Sequence, residues 1–458
     1  MTDRLKLVLI GAGSTVFTQR LVADMILSGE MIDRWELALV DIDPVTLDAV
    51  DKLVRKMLIL KKVDFPIVST TNRREVLRDA DFVVTTIAVG GRRGWELDVQ
   101  VPRKHGVFQP VGDTMMPGGI SRAMRMIPQM VAIAEDISEL CPEAYFLNYS
   151  NPMTAVCRAV RVKTGVPVIG LCHGVHYVEG VLARFLQREE GSISSFGVGL
   201  NHLTFLTHIR CNGEDVMPLM KAKLDEQRPL LEQEIRDKTD WPNTVTGRPP
   251  RYSDDPFAWS IFQRYGVFPV ALDRHITEFY PERFPHGHYY GRTLGVDAFS
   301  IDGRIALGDT WFEEMLAVAH SADPLPPSYF ENVPGESEQL TEMMQSLLRD
   351  ERRVFSVNMP NQGAVPGLPA DAVLEMPAAA GAAGFTPLHS RALPPALTAK
   401  LLSKIAAIEV TVQAALTGSF DLFVEALLTD GSVTEPDSAA ALARDLIAAH
   451  KAHLPQFA

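Results

Sequence analysis

The chain lacks the features that mark several large classes of protein. It has four cysteines in 458 residues, none in a CxxC pair. That spacing spells out neither a disulfide framework nor a closed structural zinc site, and it points to a reducing compartment. Basic residues are not in excess: 44 Lys and Arg stand against 57 Asp and Glu, a net charge of −13. A nucleic-acid backbone demands a clustered basic face, so no nucleic-acid partner is expected. Long apolar runs are missing too, and none would span a bilayer. The start, Met1-Thr2-Asp3-Arg4-Leu5-Lys6, has no apolar stretch ahead of the first strand. No membrane partner is expected, and the location is read as cytoplasmic. Internal repeats are absent.

What remains is ordinary for a globular enzyme: 46% hydrophobic and 22% charged residues. The length predicts two domains. Residues 5–10 (LKLVLI) form a continuous apolar run ending at Gly11, and 35–40 (WELALV) another ending at Asp41. Residues 66–70, 81–88, 144–149 and 167–172 add further strands. Helical spacing appears over 17–28, 46–60, 120–139 and 151–163, with a short helix at Arg73–Asp79. This alternation predicts an α/β protein whose N-terminal part, residues 1–195, is a Rossmann-like doubly wound parallel sheet. The stretch after residue 88 reads as a loop rich in Gly, Arg and Pro. From about residue 195 the pattern changes. Strands at 195–200 and 203–210 lead into mixed, mainly helical sequence, so 196–458 reads as a C-terminal α+β domain for catalysis, substrate binding and oligomerisation. Residues 360–395, rich in Ala, Pro and Gly, read as an ordered irregular segment that carries strand-like pieces such as Ala372–Glu375, and 396–448 as helical.

Five constellations carry chemistry. Gly11-Ala12-Gly13-Ser14 follows a strand and precedes a helix, as a dinucleotide-binding turn does, although Val16 stands where a third glycine is usual. Asp41, ending the next strand, is placed to bond ribose hydroxyls and favours NAD over NADP. The bland alternative is a glycine turn with no ligand. Asp113, in a glycine-rich loop, suits a general acid or base, or an ordinary turn. Asn151 lies past the carboxyl end of a strand, where doubly wound sheets bind ligands, or else makes an Asx turn before Pro152. Cys172 and His202 end two strand-like runs. Either alone reads as a buried structural residue, but a thiolate and an imidazole together make an open half-shell for a transition metal. Finally, Asp273, Arg274, His275 and Glu278 crowd one stretch between apolar flanks, either bordering a pocket or starting a solvated helix.

Taken together these segments resemble the NAD- and divalent-metal-dependent glycoside hydrolases of family 4, an exception to two-carboxylate hydrolysis. The resemblance rests on VLIGAGS (8–14), LVDID (39–43), VGDTMMPGGI (111–120), NYSNPM (148–153), GLCHG (170–174), GLNH (199–202), DRHITEF (273–279) and NMPNQG (358–363), in family order over nearly the whole chain. It looks closest to the α-glycosidases: α-galactosidases, α-glucosidases and α-galacturonidases. The resemblance implies bound NAD and a divalent metal, Mn²⁺ foremost. It implies oxidation at sugar carbon 3, deprotonation at carbon 2, departure of the aglycone, and reversal of both steps. Carried over by position, Gly11, Gly13, Ser14 and Asp41 hold NAD, and Cys172 and His202 hold the metal. Asn151, His173, Arg274 and His275 contact substrate. Asp113 is the acid assisting departure and Asp273 the base. Arg274 is suited to a substrate carboxylate, so an α-hexuronide such as an α-galacturonide is the expected glycoside, with a neutral α-galactoside or α-glucoside as the alternative. A homodimer or homotetramer is expected. Two rival classes share the nucleotide turn: an NAD-dependent 2-hydroxy-acid dehydrogenase and a non-catalytic NAD-sensing protein.

Overall fold

The structure, a computed structural model, describes residues 4–14, 17–28, 34–238, 241, 250–332 and 339–457. The N-terminal apolar runs form β1 (Leu5–Ile10), β2 (Trp35–Val40), β3 (Ile67–Thr70), β4 (Phe82–Thr85), β5 (Tyr145–Asn148) and β6 (Val168–Gly170). All are parallel, in the order β3-β2-β1-β4-β5-β6. This is the order of a doubly wound dinucleotide fold. Leu7, Val8 and Leu9 of β1 are fully buried, because helices cover both faces; hence the unbroken apolar runs. The crossovers are α1 (Phe17–Ser28), α2 (Pro44–Lys61), α3 (Gly91–Lys104), α4 (Met116–Leu140) and α5 (Met153–Thr164).

Helix α3 corrects the expected loop after residue 88. Its inward face carries Asp98, fully buried, which disguises the apolar period. The charge is tolerated because Arg125 of α4 donates to both Asp98 oxygens at 2.7 Å and His450 Nε2 lies 3.0 Å from one of them.

The rest of the chain adds α6 (Gly174–Leu186), β7 (Ile193–Leu200), β8 (Leu203–Cys211), β9 (Glu214–Asp215), α7 (Met217–Asp237), α8 (Pro256–Tyr265), β10 (Phe268–Pro269), α9 (Leu272–Ile276), β11 (His288–Tyr289) and β12 (Arg292–Thr293). These are followed by α10 (Ile301–His320), α11 (Tyr329–Asn332), α12 (Leu340–Arg349), β13 (Arg353–Pro360), β14 (Val373–Gly381), β15 (Gly384–Pro387), α13 (Pro395–Thr417), α14 (Phe420–Asp430) and α15 (Pro436–Ala449). The segment 360–395, expected as irregular with a strand-like piece at Ala372–Glu375, contains β14, which begins on that piece and is central to the sheet. Antiparallel β13 and β14 slot between β6 and β7, so one sheet continues as β6-β13-β14-β7-β8-β10. The 195/196 division falls inside β7. Helices α13 and α15 return to pack on α4 and α3.

One registered row crosses the sheet: Thr70, Val40, Ile10, Thr85, Asn148, Gly170, Asn358, Glu375, Gly199 and Thr204. Immediately past this row lie Gly11, Asp41, Cys172 and the β7–β8 turn that holds His202. Among the described residues, no helix is long and apolar enough to cross a membrane.

Candidate active site

The turn after β1 is built as the glycine pattern requires. Gly11 has φ +92, and a Cβ there would stand 2.8 Å from the Ile87 nitrogen, so no larger residue fits. Gly11 and Ala12 donate backbone N–H groups to Val40 O at 2.8 and 3.0 Å. Asp41 accepts from Gly13 N at 2.8 Å and from Asp43 N at 3.0 Å. Ser14 Oγ accepts from Phe17 N at 3.1 Å, capping the start of α1. The structure thus brings Gly11, Gly13, Ser14 and Asp41 to one helix N-terminus, a place that favours a pyrophosphate. Thr15 and Val16, where the third glycine would fall, lie outside the described residues.

At the same sheet edge, side chains of Asp113, His202 and His275 offer three donor atoms within 4.8 Å of one another. His202 sits at the tip of the two-residue β7–β8 turn with φ +65 and is 7% exposed. The imidazole rings of His202 and His275 lie 4.3 Å apart, centre to centre. Thr114 Oγ1 is 2.7 Å from Asp113 Oδ1 and 2.8 Å from His202 Nδ1. Asp113 also accepts from Asn151 Nδ2 at 3.2 Å, and Arg122 Nε donates to Asn151 O at 3.1 Å. The loop holding Asp113 wraps tightly on the start of α4: a Cβ on Gly119 would fall 2.2 Å from the Thr114 carbonyl carbon.

The electrostatics suit a cation. Burial pushes His202 and His275 downward, toward the neutral imidazole that a metal needs. Burial alone would raise Asp113. The fields of His202, His275 and Arg122, with the Thr114 hydroxyl, more than offset it and hold the carboxyl at about 2. An ionised Asp113 is a ligand or a base at neutral pH, whereas the acid role expected for it needs a proton on this carboxyl.

Cys172 is not one of the three clustered donors. It lies just before α6, with its sulfur accepting from Gly174 N at 3.4 Å, and a helix N-terminus favours the thiolate. A Cβ on Gly174 would touch both Cys172 Sγ and Val270, and Val270 N donates to Thr204 O, so the thiol stands on the His202 side of the sheet. His173 presents an exposed ring at the same helix start, and its charge lowers both His202 and His275.

Arg274, half-buried, borders the cluster. Burial lowers its guanidinium to about 10, with Asp113 and Glu278 among its acidic neighbours, and its Nε is buried with no partner among the described residues. Glu278 accepts from Val111 N and Gly112 N at 2.7 and 2.8 Å, bracing the Asp113 loop. Burial, then the nearby Asp113 charge, raises its carboxyl to about 8. Asp273, expected as the base, is held elsewhere. It is fully buried and accepts from Phe257 N, Ala258 N and Tyr289 OH at 2.8, 2.7 and 2.6 Å. The first two bonds satisfy backbone N–H groups at the start of α8. Sequence reasoning passed over Thr114, Arg122 and Asn201. Asn201 is 1% exposed with neither amide atom bonded among the described residues. Its one signal was adjacency to His202.

A doubly wound nucleotide fold with an Asp/His/His cluster at the same sheet edge as its glycine turn defines a class: an enzyme equipped for a dinucleotide and a divalent cation. The chain belongs to the family 4 glycosyl hydrolases. The family model matches residues 6–188 and the model of the family's C-terminal domain matches residues 197–433. It is 28% identical to an alpha-galactosidase of Rhizobium meliloti (strain 1021), covering 99% of this chain and 90% of that one. It is 32% identical to an alpha-galacturonidase of Thermoanaerobacterium saccharolyticum, covering 79% and 77%. A crystal structure of a 6-phospho-alpha-glucosidase from gut microorganisms, in complex with NAD and Mn²⁺, shares the fold with a TM-score of 0.80, 19% identity, and 99% and 100% coverage.

Proposed function

We propose that this chain hydrolyses α-glycosides by NAD-dependent, metal-assisted elimination and addition, with α-hexuronides, galacturonides first, as substrates. The observation that carries the reading is the convergence of Asp113, His202 and His275 donors within 4.8 Å at the sheet edge that also bears the Gly11–Asp41 turn. NAD supplies reversible oxidation at sugar carbon 3, and a divalent ion, Mn²⁺ foremost, supplies Lewis acidity beside carbon 2. Gly11, Gly13 and Ser14 shape the turn that brings the pyrophosphate to the start of α1, and Asp41 offers an acceptor to ribose. The cation would be held by Asp113, His202 and His275, with Cys172 as the thiolate candidate at the same edge. Buried unbonded amide atoms on Asn151 and Asn201 suit hydroxyl-bearing ligands, and His173 faces the same space. Glu278 holds a proton at neutral pH, whereas Asp113 does not.

The uronide preference rests on Arg274, whose unbonded Nε suits a carboxylate. A neutral α-galactoside or α-glucoside is the second reading, favoured by the carboxyls of Asp113 and Glu278 that already face Arg274. Residues 1–195 are read as the NAD-binding part and 196–458 as the catalytic, substrate and oligomerisation part of a homodimer or homotetramer. Four cysteines, with no disulfide between them among the described residues, support a reducing, cytoplasmic setting. The test is a panel of 4-nitrophenyl α-glycosides and α-uronides with NAD⁺, Mn²⁺ and a thiol reductant. Release of nitrophenol should be fastest from a uronide and should stop on chelation. Undiminished hydrolysis by verified metal-free enzyme would sink the mechanism, and faster turnover of a neutral sugar would select the second reading.

A further inference from the structure

Between α8 and the turn-rich segment 280–290 lies a cavity of about 400 Å³ that shares no lining residue with the cluster above. Its walls are aromatic (Tyr265, Tyr280, Phe284 and Tyr290), and Arg264 and Arg283 stand at its rim. Among the described residues no Asp or Glu lines it, in a chain with 57 such residues and a net charge of −13. Among the described residues neither guanidinium is in an ion pair. Tyr280 is 8% exposed, and its hydroxyl has no hydrogen-bond partner among the described residues. A buried hydroxyl without a partner carries a desolvation cost that a bound ligand relieves.

We infer that this cavity is a second ligand site, for a ring-bearing carboxylate of the sugar-acid class. Planar guanidinium forks match a carboxylate in two-point contact, aromatic walls accept the apolar face of a pyranose ring, and the volume falls within the roughly 300–1,000 Å³ of small-molecule pockets. The carboxylate requirement rests on the cavity itself. The choice of a sugar acid rests on the uronide reading above.

Crystals of the full chain with NAD⁺ and Mn²⁺, soaked with galacturonate or with galactose, test the site directly, and calorimetry on a His202→Ala background gives affinities without turnover. Galacturonate should appear against Arg264 and Arg283. Its affinity for the cavity should fall at least tenfold in Arg264→Met/Arg283→Met and severalfold in Tyr280→Phe. The two arginine substitutions, placed in the otherwise wild-type enzyme, should leave glycoside hydrolysis unchanged. A cavity empty at saturating galacturonate, galactose bound as tightly as the acid, or a second copy of the chain filling the cavity would each overturn the inference. A failed hydrolysis panel removes the uronide reading without touching the carboxylate result. An empty cavity in an active uronidase removes only the second site.

Discussion

His202 reaches the Asp113 carboxylate through a single hydroxyl. Thr114 carries one hydroxyl proton, and an ionised carboxylate can only accept, so the proton goes to Asp113 Oδ1, 2.7 Å away. His202 Nδ1, 2.8 Å from the same oxygen, must then be the donor. That relay fixes the tautomer and leaves the Nε2 lone pair for a cation.

Thr114→Val, which keeps the shape and removes the relay, should weaken Mn²⁺ binding by about 10–100-fold. Competition against a chelator of known affinity reads this directly. Unchanged affinity would mean that His202 takes its orientation from the β7–β8 turn alone.

Asp41→Ala should weaken NAD⁺ by on the order of 1–3 kcal/mol, since a buried-side acceptor for ribose is lost. Asp41 also holds Gly13 N and Asp43 N, so the thermal midpoint without NAD⁺ should fall as well. Calorimetry showing full NAD⁺ affinity would assign the ribose to another residue.

Asp273→Asn separates a cap from a base. The amide cannot accept all three bonds made by Phe257 N, Ala258 N and Tyr289 OH, so stability should drop by roughly 1–3 kcal/mol. The rate per folded molecule should hold. A loss of a hundredfold or more in kcat with an unchanged midpoint would return Asp273 to the chemistry.

Glu278 makes stability depend on pH. Its carboxyl sits at about 8 in the fold against 4.5 as an ordinary side chain, with burial the largest cause. A carboxyl raised in the folded state contributes stability that is complete below about 4.5 and is lost as pH rises through about 8. Glu278→Gln keeps an acceptor for Val111 N and Gly112 N without the titration. Metal-free wild type should therefore lose more stability between pH 5 and pH 8 than the variant does. Parallel denaturation midpoints across that range would refute this.

The half of the fold made of uniformly buried strands was legible, because burial on both faces writes itself as runs such as LKLVLI. Helix α3 was not, since Asp98 occupies an inward position that only Arg125, on another helix, makes tolerable. The start of strand β14 was legible in the strand-like Ala372–Glu375, but its continuation was not, because the small residues from Pro377 to Ala380 pack under α5 and α12 yet read as coil. In the site, Asp273 and His275 are two residues apart on α9, about 200° around a helix that turns 100° per residue. Sequence placed both near the pocket, but only the orientation of α9 sends His275 to Asp113 and His202 and turns Asp273 toward α8.

The insertion of β13 and β14 between β6 and β7 also bears on how the molecule is made. The hairpin bearing His202 joins the sheet through Glu375 and Gly199, so its seat does not exist while synthesis has delivered only the parallel strands. Until residues 353–381 arrive, β6 is an open edge, the kind that recruits foreign strands, and the pairing that closes it is long-range and correspondingly slow to form. The nucleotide turn can be finished early on the ribosome, and the cation cluster only late, so a truncated or stalled chain would bear half a site and a sticky edge.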